Sequence, residues 1–159
     1  MQTSLSTPSK TSLYKADFYA WTQEQSYLLR AGSWEQLDRE NLVEEIESLG
    51  RQQRRELRNR LAVLLGHLLK WEYQPERRSR SWLATLRVQR RDIASLLQEN
   101  PSLQLYLEEA LVEGYANGRD LAMGETGLAA MTFPVDCPYG VDQVLDLAFY
   151  PGEKSEFLD

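Results

Sequence analysis

Little in this chain lends itself to catalytic chemistry: its 159 residues hold one histidine, His67, and one cysteine, Cys137. One cysteine excludes an intrachain disulfide and a zinc site built from paired thiolates. One histidine excludes the usual multi-histidine metal sites, and the Glu-x-x-His pairs that di-metal bundles take from facing helices are missing. There is no glycine-rich phosphate loop, and no Gly-x-Ser-x-Gly elbow surrounds Ser79 or Ser81, both of which stand where a helix N-cap is wanted. Cys137 sits between Asp136 and Pro138, without a cationic neighbour to make it a thiolate. No cofactor and no metal are therefore expected, and an enzyme is disfavoured. Alternating β patterns, internal repeats and apolar runs of the ~18–20 residues a membrane span needs are also missing. Residues 1–12, MQTSLSTPSKTS, have neither the apolar core of a signal peptide nor an Arg-rich pattern, and read as a disordered polar tail. The expected setting is the cytoplasm.

What the chain does have is charge, unevenly placed. The net −6 conceals three blocks: residues 1–50 carry four cations and eight acids, residues 51–91 twelve and three, and residues 92–159 two and thirteen. A basic middle lies between acidic flanks.

The apolar spacing is helical throughout. Tyr14, Phe18, Trp21, Leu28 and Leu29 form one stripe, so a first helix is expected from Asp17 to Arg30, stopped by Gly32. Ser33 and Gln36 resemble a capping box. Asp38 then caps a second helix, with Leu42, Ile46 and Leu49 on its inner face and Gly50 bending or ending it. A third helix, from Gln52 to Glu72, carries Leu57, Leu61, Leu64, Leu68 and Trp71 alternately four and three apart, the seam of bundle packing. Pro75 sets a turn, and a fourth helix starts between Arg78 and Ser81, returning antiparallel to bury Trp82 and Leu86 against Leu64, Leu68 and Trp71. Asn100 and Pro101 open a fifth. That helix has small residues every fourth position, Ala110, Gly114, Gly118 and Ala122, a ridge expected where another helix crosses closely. A last short helix spans Val141 to Leu147. The expectation is an all-α bundle of five main helices plus a short C-terminal one, in a single domain over residues 13–151 with a tail at 152–159.

The densest chemistry lies in His67–Trp82, HLLKWEYQPERRSRSW. His67, Lys70, Trp71, Arg78 and Trp82 are the candidate binding residues there, with Glu45 offered from the second helix. On helical spacing His67 falls at the border of the core, where hydrogen bonding to a neighbour, Glu45 first, is preferred over a metal or general-base role; the alternative is a site of Glu45, His67 and Glu109 or Glu113. The basic block of Arg51, Arg54, Arg55, Arg58, Arg87, Arg90 and Arg91 would collect at one pole of the third and fourth helices. Neutralisation by Glu44, Glu45 or Glu47 is the preferred reading; the rivals are an acidic protein partner and, with Trp71, Tyr73 and Trp82 as stacking surfaces, nucleic acid.

Several motifs in order, DFYAW, NLVEEIESLGR, HLLKWEYQPERRSRSW, a QR pair, NPSL and FPVDCPY, resemble the bacterial family known as domain of unknown function twenty-nine. The resemblance covers residues 13–151 and implies a small all-helical protein, without implying an activity or catalytic residues. The missing catalytic set, the polarised charge and the aromatics lead to an expected role as a non-enzymatic interaction or regulatory module that binds an acidic protein partner or itself.

Overall fold

The computed structural model describes residues 10–158, with side chains from Leu13. It is an all-α protein: α1 (Lys10–Ala16), α2 (Phe18–Ala31), α3 (Arg39–Tyr73), α4 (Arg80–Glu99), α5 (Leu107–Thr126) and α6 (Val141–Leu145), with no strand among the described residues. None of these helices is long and apolar enough to cross a membrane. Of the expected polar tail, residues 1–9 lie outside the described residues, and α1 begins at Lys10. The chain divides into two compact units, one up to Arg51 and one from Gln52 onward.

In the N-terminal unit, Asp17 caps α2 by accepting the Ala20 N–H at 2.9 Å, and Gly32 ends it in the left-handed region at φ +71°. Ser33 makes no side-chain cap, so the expected capping box gives way to a three-residue 3-10 turn, Trp34–Gln36. Two helices were expected between Asp38 and Glu72; the structure has one, running through Gly50. A single interior glycine costs about 1 kcal/mol. Ending the helix there would also forfeit its hydrogen-bond ladder and require a second nucleation, so the glycine is tolerated.

The helix is also turned differently from expectation. Asp38 takes the Trp21 indole N–H at 3.1 Å and the Asn41 side-chain amide at 2.7 Å, its own N–H donates to the Gln25 side chain at 2.8 Å, and Glu45 accepts from the Tyr14 hydroxyl. These bonds draw the polar face of α3 against α1 and α2. Ile46 and Leu49, expected inside, are consequently 66% and 61% exposed.

In the second unit the α3 seam is buried as expected, with Leu57, Leu61, Leu64, Leu68 and Trp71 all inside. After a 3-10 turn at Pro75–Arg77, Ser79 caps α4 through the Trp82 N–H. Lys70 lies against Trp82 and Arg60 pairs with Asp92, a register that only an antiparallel pair produces. Leu83, Leu86, Ile93, Leu96 and Leu97 fill the interface, while Trp82 is half-buried. Asn100 does not cap the next helix: its amide donates to the Leu96 carbonyl, and a 3-10 segment, Pro101–Tyr106, precedes α5.

The glycine ridge of α5 crosses α3 at close range. A Cβ on Gly118 would sit 2.7 Å from the Ala62 carbonyl oxygen and 3.0 Å from the Gly66 nitrogen, and one on Gly114 3.1 Å from the Arg58 carbonyl oxygen. The backbones therefore touch where side chains would normally separate them.

The irregular C-terminal stretch is tied down by guanidiniums. Arg90 is 2% exposed and donates to the Val144 and Phe149 carbonyls at 2.8 and 2.7 Å; Arg78 donates to those of Trp71 and Glu153, both at 2.8 Å; Arg119 donates to Ala130 at 2.7 Å. Residues 152–158, expected as a tail, include a buried Ser155 and place Phe157 and Leu158 against the core.

Gly118→Ala should lower stability by about 1–3 kcal/mol through overpacking against immovable backbone. Gly124→Ala, on the same helix with nothing within 4 Å of its Cβ, should raise it by about 0.5–1 kcal/mol. Urea unfolding of both variants tests the crossing: equal effects would show that α3 and α5 do not meet there.

Candidate functional site

The His67–Trp82 segment is a structural junction rather than an open cleft. Lys70 is 4% exposed; its ammonium pairs with Glu125 of α5 and lies 4.3 Å from the centre of the Trp82 ring. A buried cation is tolerable because a carboxylate and an aromatic face replace its water. His67 is half-buried, with Nδ1 2.9 Å from the Val63 carbonyl oxygen. A carbonyl only accepts, so the proton resides on Nδ1 and Nε2 keeps its lone pair. Burial, reinforced by the neighbouring Lys70 charge, holds His67 below the usual imidazole pKa, against the opposing pull of the Val63 bond and Glu125. The ring is neutral at pH 7.

Trp71 is wholly inside, and Arg78 stacks on it at 5.0 Å. The Tyr150 ring lies 5.6 Å from the Trp71 ring, and Arg90 sits 5.2 Å from the Tyr150 ring. The result is a cation, two rings and a second cation in succession, linking α3 and α4 to the C-terminal segment. Nearby, the Tyr139 hydroxyl donates to Glu72, and burial together with that carboxylate pushes the phenol pKa up. Burial likewise raises the Cys137 thiol, keeping it protonated. Trp71 is buried, as its place on the α3 seam predicts, and Arg90 lies in the interior rather than in the surface patch expected of it.

Glu45 and His67, offered as a pair, each have another partner: Tyr14 for Glu45 and the Val63 carbonyl for His67. Glu113 is engaged by Tyr106 and Arg58, which hold its carboxyl below the usual range, and Glu109 is exposed. Among the described residues no three His, Cys, Asp or Glu side chains group around a metal-sized position.

Nor does the basic block gather at one pole. Arg51 pairs with Glu44 at 2.6 Å and Glu47 at 3.7 Å, as expected, and Arg58 with Glu113 of α5 at 3.1 Å. Arg54 instead stacks 4.8 Å from the Tyr106 ring, and Arg90 serves carbonyls in the interior. Arg55, Arg87 and Arg91 are exposed without a partner among the described residues. Because Asp92 lies opposite Arg60 and Trp82 opposite Lys70, Arg87 falls well along the hairpin from Arg55. A continuous phosphate-gripping surface needs these charges side by side.

The surface that sequence reasoning missed is on the N-terminal unit. Val43, Ile46 and Leu49 of α3 are 54%, 66% and 61% exposed, and Tyr19, Tyr27 and Trp34 are exposed on the same unit. The signal was present in α2, whose inward positions include Trp21 and Gln25, both with polar groups that demand polar partners. Asp38 meets that demand. Satisfying it turns the apolar side of α3 outward.

Set beside known proteins, residues 13–150 match the family model described as domain of unknown function DUF29. No curated protein and no solved structure matches the chain.

The lone histidine makes a clean pH test. Its folded pKa is lowered, so below about 6.5 the unfolded chain takes up the proton first. Stability should therefore fall as pH drops from 7 towards the lowered folded value. Urea midpoints at pH 7.0 and 5.5 should differ for the wild type, and the difference should shrink in His67→Gln. An unchanged difference would mean that His67 is not buried in its neutral form.

Proposed function

This chain belongs to the DUF29 family, and within it we propose that it acts as a protein-interaction module whose N-terminal unit is the recognition element. The single observation carrying this reading is the inverted helix: α3 packs Asp38 and Glu45 inward and leaves Val43, Ile46 and Leu49 in water. Singly exposed apolar residues are ordinary, but a helical stripe of them on a unit that buries its polar side instead is the pattern of a docking face. Full burial of a side chain of this size is worth roughly 1.5–3 kcal/mol, and these three, 54–66% exposed, leave part of it for a partner to recover.

The rest of the molecule supports a binding role over a catalytic one. The titratable groups of the second unit are occupied in holding helices together: Lys70 with Glu125, Glu72 with Tyr139, Arg78 and Arg90 with carbonyls. The scattered arginines supply no single basic pole for an acidic partner, so the apolar stripe is the better candidate for contact.

A photo-crosslinking amino acid placed at Ile46 of the full chain, in the cells that make it, should give covalent adducts. The same probe at Leu105, 93% exposed in the other unit, should give none. Adducts from neither position, or equally from both, would sink this reading.

A further inference from the structure

The composition around the exposed stripe identifies what can cover it. At about 100° per residue, Leu42, Val43, Ile46 and Leu49 span an arc of about 120° on α3. One border is the face holding Asp38, Asn41, Glu45 and Ser48, where Asp38 bonds α2, Glu45 bonds α1 and Asn41 braces Asp38. The other border is Glu40, Glu44 and Glu47, with Arg51 beside them. Arg51 is bonded to Glu44 and reaches Glu47, while Glu40 has no partner among the described residues. Arg39, in the first turn of the stripe, is offset by Glu35, so three carboxylates against the Arg51 guanidinium leave this rim negative.

We infer that the α3 stripe seats a cationic amphipathic helix of another protein, its apolar side on Val43, Ile46 and Leu49 and its lysines or arginines on Glu40, Glu44 and Glu47. The inference rests on the interaction reading above and adds the chemistry of the partner. A helix laid in a groove is anchored by residues one turn apart, the spacing the stripe itself offers. Charge excludes the other coverings. A second copy laid antiparallel about Ile46 would bring Glu44 and Glu47 of both chains together, and like charges across an interface cost affinity. A membrane carrying anionic lipid would be repelled by the same rim.

The test uses the full-length protein and two fluorescent model peptides of one amphipathic pattern, leucine–lysine and leucine–glutamate, titrated by anisotropy at low and raised salt. The leucine–lysine peptide should bind, more weakly as salt is added, and the leucine–glutamate peptide should not. Ile46→Ser with Leu49→Ser should weaken binding at least tenfold, and so should Glu40→Lys with Glu47→Lys. Leu105→Ser with Val112→Ser, which removes apolar surface that is 93% and 69% exposed elsewhere, should leave it unchanged. Circular dichroism of each variant confirms that these surface changes keep the helices. Equal binding by all variants would mean general attraction of a cation to an acidic protein and would overturn the inference, as would a stable dimer of the wild type in sedimentation that Ile46→Ser abolishes. Crosslinks from Ile46 without binding of the leucine–lysine peptide would remove this partner chemistry while leaving the interaction reading intact; failure of both would remove the two together.

Discussion

The contact on which the second unit depends is the crossing of α3 and α5, where Gly114 and Gly118 meet Ala62 and Gly66 with backbone against backbone. Glycines inside a helix are a local cost. They persist here because close approach lets Leu61, Leu65 and the ridge between them fill space that larger residues would hold open. The position of α5 then follows, and with it the reach of Glu125 to Lys70 and of Glu113 to Arg58. A wider crossing would separate both pairs and strand the Lys70 ammonium away from water, a penalty of several kcal/mol.

Around that crossing the arginines do what hydrophobic packing alone does not. The chain after Thr126 is mostly irregular, so many of its carbonyls have no helical partner. Arg78, Arg90 and Arg119 supply donors to Trp71, Glu153, Val144, Phe149 and Ala130, and the rings of Trp71 and Tyr150 cover the guanidinium faces of the first two. A planar fork with several donors suits this task, whereas a lysine offers a point charge. Charge that the linear sequence presents as a basic block is in part spent inside the fold, and its surface remainder is dispersed.

The N-terminal unit follows another logic. Its interior is organised by Asp38, which gathers the Trp21 indole, the Asn41 amide and the Gln25 side chain. A polar network of this kind is directional, so it fixes the rotation of α3 about its axis more strictly than apolar contacts would. The apolar side of the same helix faces water as a consequence.

The sequence by itself determined the helical class, the turn at Pro75, the stop at Gly32, the cap at Ser79, the α3 seam from Leu57 to Trp71 and the close crossing announced by Gly114 and Gly118. Each of these depends on residues a few positions apart on one chain segment, or on a periodicity that only one packing satisfies. The continuity of α3 through Gly50, the outward turn of Ile46 and Leu49 and the withdrawal of Arg90 into the interior were decided only in three dimensions. A local glycine cost is small beside a cooperative hydrogen-bond ladder, an amphipathic pattern does not say which side a polar partner will claim, and a guanidinium's destination depends on carbonyls more than fifty residues away.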